Sequence, residues 1–541
     1  MTTDRTFPRL SAAQLERLAG IGQRRTCAEG EIVVDQGEVA PGFFVVVSGA
    51  LAIVQPTERG EQPLGMLREG QFTGEVSLIT GRSTLVRIRV AKPGELLVIT
   101  PEALRKIVQL DPDLSEVLMR AFILRRVGLI AAGAGDAVLV GSTHSAATLR
   151  IREFLGRNAQ PYAYVDVDQD PDVQALLDRF HLSVGDVPIL ICRSQRVLKN
   201  PSNLEIAQCL GLNPAFDPAL VRDVVIVGAG PAGLAAAVYG ASEGLDVLVL
   251  EISAPGGQAG ASTRIENYLG FPTGISGHEL AGRAYAQAEK FGAEIVVARA
   301  AAALRCERRP YAVELSDGAT LHARTVVIAT GVQYRKPDSP ALARFEGAGV
   351  YYAATAMEAE LCRGEDAVVI GGGNSAGQAA VFLAQRVRSV RILVRGRGLA
   401  DTMSRYLVSR LEQTANVSVQ PFQQVVGAGG GDHLETLEVR DLRAGERRSL
   451  AIRHVFVMTG ADPNTAWLQG CVALDEKGFV KTGEAVDRSS WPLPRAPWIL
   501  ETSAPGVFAV GDVRSGSMKR VAAAVGEGST AIQLVHRALA E

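Results

Sequence analysis

Twice in this chain a run of aliphatic residues breaks on glycines and resumes as a helix of small residues, a pattern that few folds accept. The first instance is DVVIVGAGPAGLAAAVYGASEGLDVLVLE at 223–251. It predicts a buried strand, a tight turn, a helix and a second strand that closes on an acid. Gly228, Gly230 and Gly233 form G-x-G-x-x-G. The first glycine makes the turn, the second lets backbone approach a pyrophosphate, and the third lets the helix pack close to the strand. The helix N-terminus faces the phosphates, and Glu251 stands where an acid accepts from a ribose hydroxyl. The second instance, DAVVIGGGNSAGQAAVFLA, supplies Gly371, Gly373, Asn374, Ser375 and Ala376 as its cofactor-facing turn. Its next strand ends VRILVRGRG, with Arg395 in the acid's place and Arg397 beside it. An acid repels a 2′-phosphate, whereas arginine pairs with it. The first turn therefore suits FAD, and the second suits NADPH rather than NADH.

A chain of 541 residues has room for about three to four domains. Two small-residue or proline-bearing breaks, AAGAG at 131–135 and NPAFDP at 213–218, divide off two units ahead of the first glycine turn. Lys+Arg (56) and Asp+Glu (58) nearly cancel and form no basic block, which argues against nucleic acid as a partner. The six cysteines form no C-x-x-C and no metal-spaced cluster. That spacing argues against a disulfide framework or a structural metal, and for a reducing compartment. The opening residues MTTDRTFPRL lack the charged-then-apolar profile of a signal peptide, and the uncharged stretch Val224 to Ser242 reads as strand, turn and helix rather than a membrane span. A cytoplasmic protein is the expectation.

In residues 1–130, short apolar runs alternate with glycine turns (EIVVDQGE, GFFVVVSGALAIV, QFTGEVSLITG, STLVRIRVA, GELLVI) between helical patterns. Their regular spacing points to a small β-barrel or sandwich. Glycines 30, 37 and 49, F-T-G-E at 72–75 and the following Arg82-Ser83-Thr84 resemble a cyclic-nucleotide-binding domain. The resemblance implies a phosphate cassette made of Gly74, Glu75, Arg82, Ser83 and Thr84. Glu75 would hold the ribose and Arg82 the phosphate of cyclic AMP or cyclic GMP. The Glu-to-Arg interval is shorter than the family's, which leaves Arg87 as an alternative phosphate partner and a purely packing barrel as another reading.

Residues 136–212 run strand, helix, strand, helix, then Val187-Pro188 entering the strand ILICRS. This order resembles the thioredoxin and glutaredoxin family, in which that proline is cis. The family's C-x-x-C position reads Ser142-Thr143-His144-Ser145, so no thiol stands there. A docking or spacer module is expected, with Cys192 in its core.

Across 221–541 the two turns, with PGGQ at 255–258, IENYLGFP at 265–272, ATG at 329–331 and PGVFAVGDVR at 505–514, resemble the low-molecular-weight thioredoxin reductases. The resemblance places Gly257, Gln258 and Asn267 along a flavin, Asp512 on its ribityl chain, and Lys519, Arg520 and Val521 at its pyrimidine side. It implies a homodimer and an NADPH domain (336–460) inserted in the FAD domain (221–335 and 461–541). The family's redox dithiol aligns with Ala353 and Ala356, so both sulfurs are gone and no catalytic residue is assigned; Cys362 is the one thiol nearby. The expected fold is thus multidomain, α/β and β: a cyclic-nucleotide-type barrel, a thiol-free thioredoxin-like unit and two Rossmann-like domains. The expected function is hydride transfer from NADPH to FAD, with electrons leaving to an unidentified acceptor. Two other readings stand beside it: ferredoxin–NADP reductase-like transfer to a protein, and a redox or cyclic-nucleotide sensor without turnover.

Overall fold

The computed structural model describes residues 3–57, 60–74, 78, 83–131, 137–143, 145–168, 183–192, 196–214, 216–335 and 339–541. Helix α1 (Ala12–Ala19) precedes five strands: β1 (Gln23–Cys27), β2 (Ile32–Val34), β3 (Phe43–Thr57), β4 (Gly60–Arg68) and β5 (Arg87–Ile99). They form an antiparallel sheet in the order β1-β5-β3-β4, with β2 also on β5. The runs STLVRIRVA and GELLVI join in one strand because Gly94 lets β5 press against β3; a Cβ there would lie 2.2 Å from the Ser48 carbonyl oxygen. β4 escapes sequence reading because its residues are mostly exposed. The helical pattern that follows is two helices, α2 (Pro101–Leu110) and α3 (Pro112–Ala131). They part at Asp111, which is extended (φ −110°, ψ 98°), as a residue before proline prefers.

The next unit consists of β6 (Ala137–Gly141), α4 (Ala146–Arg157), β7 (Ala163–Asp166), β8 (Ile189–Cys192), β9 (Arg196–Lys199) and α5 (Asn203–Leu210). Its sheet order is β7-β6-β8-β9, with β6 and β7 parallel and β8 antiparallel to both of its neighbours. The Val187-Pro188 bond is cis. The helix expected over DVQALLDRFHL, and His144, lie outside the described residues.

The expectation of unpaired cysteines is overturned. Cys192 of β8 bonds Cys209 of α5 (Cα atoms 6.3 Å apart), and Cys306 bonds Cys471 (5.7 Å). Separations of 17 and 165 residues leave no local signature, so only the folded chain brings these thiols together. Cys27 and Cys362 stay unpaired, and both are buried.

The largest sheet is built from β10 (Val221–Val227), β11 (Val247–Glu251), β12 (Glu294–Val297), β13 (Ala301–Arg305), β14 (Tyr311–Leu315) and β15 (Thr320–Ile328). Its order is β12-β11-β10-β15-β14-β13. Helices α6 (Pro231–Ser242) and α7 (Gly277–Lys290) lie between its parallel strands in sequence. The chain leaves this sheet through β16 (Val332–Tyr334). A second parallel sheet then forms from β17 (Val350–Tyr351), β18 (Asp366–Ile370), β19 (Ser389–Leu393), β20 (Val417–Gln420) and, after a three-stranded antiparallel sheet β21 (Gln423–Gly429), β22 (Thr436–Asp441) and β23 (Arg447–Ala451), β24 (His454–Val457). Helices α8 (Ala356–Leu361), α9 (Asn374–Leu383) and α10 (Arg405–Glu412) belong to this part. The chain returns through β25 (Ala461–Pro463), antiparallel to β16, and ends with β26 (Val507–Ala509) beside β15 and with α11 (Val521–Ala540). α11 packs so close to α6 that a Cβ on Gly528 would sit 2.2 Å from the Ala232 carbonyl oxygen. Among the described residues no helix is long and apolar enough to cross a membrane; Val224 to Ser242 spans β10, the turn and α6.

Candidate cofactor and active site

The three glycines of the first turn do different work. Gly228 has φ +106°, and a Cβ there would lie 2.3 Å from the Ala329 carbonyl oxygen. A Cβ on Gly233 would lie 1.9 Å from the Gly228 carbonyl oxygen, so α6 cannot sit this close with any other residue. Gly230 is the exception. Its φ of −70° suits any residue, and a Cβ would meet only the Gly257 Cα, at 4.0 Å. Its open side faces a cavity of about 890 Å³, within the usual range for cofactor sites. Gly228, Gly230, Glu251, Gly257 and Gln258 line that cavity, and so do Asp512, Lys519, Arg520 and Val521 at the start of α11. Gln258 donates to the Val332 carbonyl oxygen at 3.3 Å.

Glu251 is buried, and its two carboxylate oxygens accept from the Ala229 and Ser253 N–H groups, each at 2.9 Å. Burial pushes its carboxyl up, while those two N–H groups and the charge of Arg157 push it back. The Ala254 N–H also bonds this carboxylate, and the acceptor capacity that remains is open to a hydroxyl donor. Asp512 is likewise pushed up by burial, against the pull of Lys519. Around it, the Gly511 N–H and Arg514 both bond Glu527 of α11 (2.7 and 2.5 Å), which fixes the turn that carries Asp512. A turn open at Gly230, a buried acid and the cations Arg150, Arg157, Arg299, Lys519 and Arg520 in one cavity fit a dinucleotide.

At the second turn Gly371 has φ +139°, and a Cβ would lie 2.4 Å from the Met458 carbonyl oxygen. Gly373 caps α9 with open space in front of it, and Ala376 is fully buried beneath. Ser375 accepts from the Tyr334 hydroxyl at 3.2 Å. Asn374 turns to structure: its side chain accepts from the Ser404 N–H at 2.8 Å. Arg395 and Arg397 are exposed just past β19 and form no ion pair among the described residues.

Residues 222–528 match the family model for pyridine nucleotide-disulphide oxidoreductases, more than half of the chain. The chain belongs to this family. The oxidoreductase is 33% identical over 321 residues to the thioredoxin reductase of Streptomyces clavuligerus, covering 59% of this chain and 94% of that one. It is 34% identical over 313 residues to a component of the alkyl hydroperoxide reductase of Pseudomonas putida, covering 57% and 56%. Among solved structures, thioredoxin reductase of T. acidophilum matches at 30% identity and a TM-score of 0.53, covering 59% of this chain and 99% of that chain. Residues 24–111 match the cyclic nucleotide-binding domain. The protein is thus an FAD- and NAD(P)-dependent oxidoreductase with a cyclic nucleotide-binding domain ahead of it.

One residue expected along the flavin falls elsewhere. Asn267 is exposed and does not line the cavity. Next to it, Glu266 pairs with Arg410 of α10 at 2.9 Å. Ala353 does line the cavity, and α8 begins at Ala356. Cys362 is packed in the core beside Tyr351 and Leu383; its thiol donates to the Glu358 carbonyl oxygen at 3.0 Å, and burial pushes its pKa up. Glu358, also pushed up by burial, lines the cavity and accepts from the Thr355 N–H at 2.8 Å.

In the barrel, Glu75 and Arg82 lie outside the described residues. Gly74 has φ +99° and its carbonyl accepts from Arg125 of α3 at 2.9 Å. Thr84 donates to the Asp35 carbonyl at 2.8 Å, and Ser83 bridges Val39. Arg87 is not a spare phosphate partner, because Asp35 (2.7 Å) and Glu61 (3.1 Å) already hold it. Sequence reading also missed a whole wall of the cavity, the face of α4 that carries Leu149, Arg150, Glu153 and Arg157. The only trace in sequence is their helical spacing, which any amphipathic helix shares.

Proposed function

We propose that the chain oxidises NADPH through FAD and passes the electrons to an acceptor that is not a disulfide, under the influence of a cyclic nucleotide. The observation that carries this reading is Ala353 in the wall of the flavin-type cavity, where the resembling reductases carry a thiol. FAD bound there supplies hydride acceptance and onward electron transfer. The residues supply placement. Gly228 and Gly230 at the start of α6 would hold the pyrophosphate, Glu251 a ribose, Asp512 the ribityl chain, and Lys519, Arg520 and Val521 the pyrimidine side. Gly371 and Gly373 would receive the second nucleotide, with Arg395 and Arg397 on its 2′-phosphate.

The coenzyme is tested by anaerobic flavin bleaching. NADPH is expected to bleach the flavin at far lower concentration than NADH. Replacing Arg395 and Arg397 by Ala should remove about 1.5–3 kcal/mol per charged contact, roughly tenfold or more each, for NADPH alone. Equal bleaching by both coenzymes in wild type defeats the assignment.

Support for the regulatory part comes from three hydrogen bonds made by neighbouring arginines of α3. Arg125 of α3 donates to the Phe72 (3.0 Å) and Gly74 (2.9 Å) carbonyls, which ties α3 to the start of the cassette segment. Next along α3, Arg126 donates to the Ala159 carbonyl at 3.0 Å, just past the end of α4. Gly74, at the start of the cassette segment, is thus tied through α3 to the turn that follows α4. Calorimetry with cyclic AMP and cyclic GMP is expected to give binding heat with at least one of them. No heat and no thermal shift at millimolar nucleotide would leave the barrel as a packing unit. The resemblance also supports a cytoplasmic homodimer, which light scattering tests for assembly.

A further inference from the structure

We propose that Arg157, carried by the unit at 137–212, is a ligand for the FAD pyrophosphate, so that this unit is a fixed wall of the cofactor site rather than a spacer. The inference rests on the FAD reading above. Ala146, Leu149, Arg150, Glu153 and Arg157 recur at helical spacing, and this one face of α4 lines the cavity with Gly228, Gly230 and Gly257. Arg157 donates through Nη2 to the Gly257 carbonyl oxygen at 3.0 Å, and Asn158 donates to the Ser253 carbonyl oxygen at 3.1 Å. Gly257 in turn lies against Gly230; a Cβ on Gly257 would be 3.0 Å from the Gly230 Cα. Arg157 is therefore one hydrogen bond from the point where the second glycine clears a pyrophosphate.

The seat is firm. The Asn213 side chain donates to the Val297 carbonyl (2.9 Å) and accepts from the Val297 N–H (2.7 Å), and Val297 itself packs in the core of the 137–212 unit. Arg157 also keeps donors beyond those that face Gly257 and Glu153. Arg150 has its donors taken by Asn203, Asn200 and Pro201, whereas the carboxylate paired with Arg157 is Glu153 at 3.5 Å. The charge of Arg157 reaches Glu251 and His278 across the cavity edge. The glycine turn offers only backbone dipoles to a dianionic group, with the acid Glu251 close by. A guanidinium at this edge supplies positive charge beside the turn, and its planar fork matches phosphate.

The test is FAD affinity, read from flavin fluorescence on titrating full-length, deflavinated protein over a series of salt concentrations. Arg157→Gln keeps a donor for the Gly257 carbonyl but loses the charge. It is expected to weaken FAD about tenfold to a hundredfold and to flatten the salt dependence, with unchanged circular dichroism. Arg157→Lys, which keeps the charge without the fork, should fall between the two. If Arg157→Gln binds FAD with wild-type affinity and salt slope, Arg157 only braces the turn and the inference falls. Should Arg157→Gln fail to fold, a wild-type affinity that is independent of salt, or a Lys variant as weak as Arg157→Ala, overturns it equally. Wild-type protein that takes up no FAD sinks the underlying FAD reading as well, which separates the two failures.

Discussion

Gly230→Val is expected to give a folded, colourless protein. At this position φ is −70° and ψ −177°, an extended conformation that valine adopts readily. The added Cβ meets no protein atom closer than the Gly257 Cα at 4.0 Å. Gly230 caps α6 without a side-chain bond, so the loss of a permissive cap costs about 1 kcal/mol at most. The isopropyl group instead fills the space in front of the helix N-terminus, where the pyrophosphate would lie. Flavin absorbance should vanish while thermal unfolding stays cooperative. Gly233→Val is the contrast. Its Cβ would lie 1.9 Å from the Gly228 carbonyl oxygen, an overlap costing ~3 kcal/mol or more, so that variant should lose stability along with flavin. Full FAD occupancy in Gly230→Val would mean that this cavity is not the flavin site.

The contrast shows what sequence can carry. The two glycine turns were legible because each constraint is local: a positive φ at Gly228, a close approach at Gly233, and the strands on either side all fall within one stretch of chain. Arg395 and Arg397 were legible for the same reason, as residues at the end of a strand next to its turn. What stayed hidden depends on partners distant in sequence. Cys306 meets Cys471 only because the chain leaves the large sheet and comes back to it. Asn267 matches a family position in sequence, yet Glu266 beside it is held by Arg410, 144 residues further along the chain. Arg87 looks like a spare cation until Asp35 and Glu61 are seen on either side. The α4 wall is the same kind of omission: nothing in the stretch from Ala146 to Arg157 announces that its charged face meets Gly257.

The largest functional effect expected is an absence of disulfide turnover beside intact flavin chemistry. NADPH should bleach the flavin, and an artificial one-electron dye should restore its colour repeatedly. Thioredoxin and small aromatic disulfides should be reduced at least ~1,000-fold more slowly than the dye, since a thiol nucleophile is needed to open the S–S bond. Passing two electrons to a disulfide requires a thiolate that attacks one sulfur and then resolves the mixed disulfide. Ala353 offers neither step, and no cysteine lines the cavity among the described residues. The paired cysteines do not fill the gap. Cys192 and Cys209 are buried in the core of the 137–212 unit, and Cys306 and Cys471 pack against the large sheet. Cys362 lies closest in sequence, but burial disfavours its thiolate and its proton is bonded to the Glu358 carbonyl. Cys362→Ser should therefore leave every rate unchanged. Catalytic disulfide reduction by the wild type, lost in Cys362→Ser, would show that α8 opens during turnover and exposes a thiol that the folded core conceals.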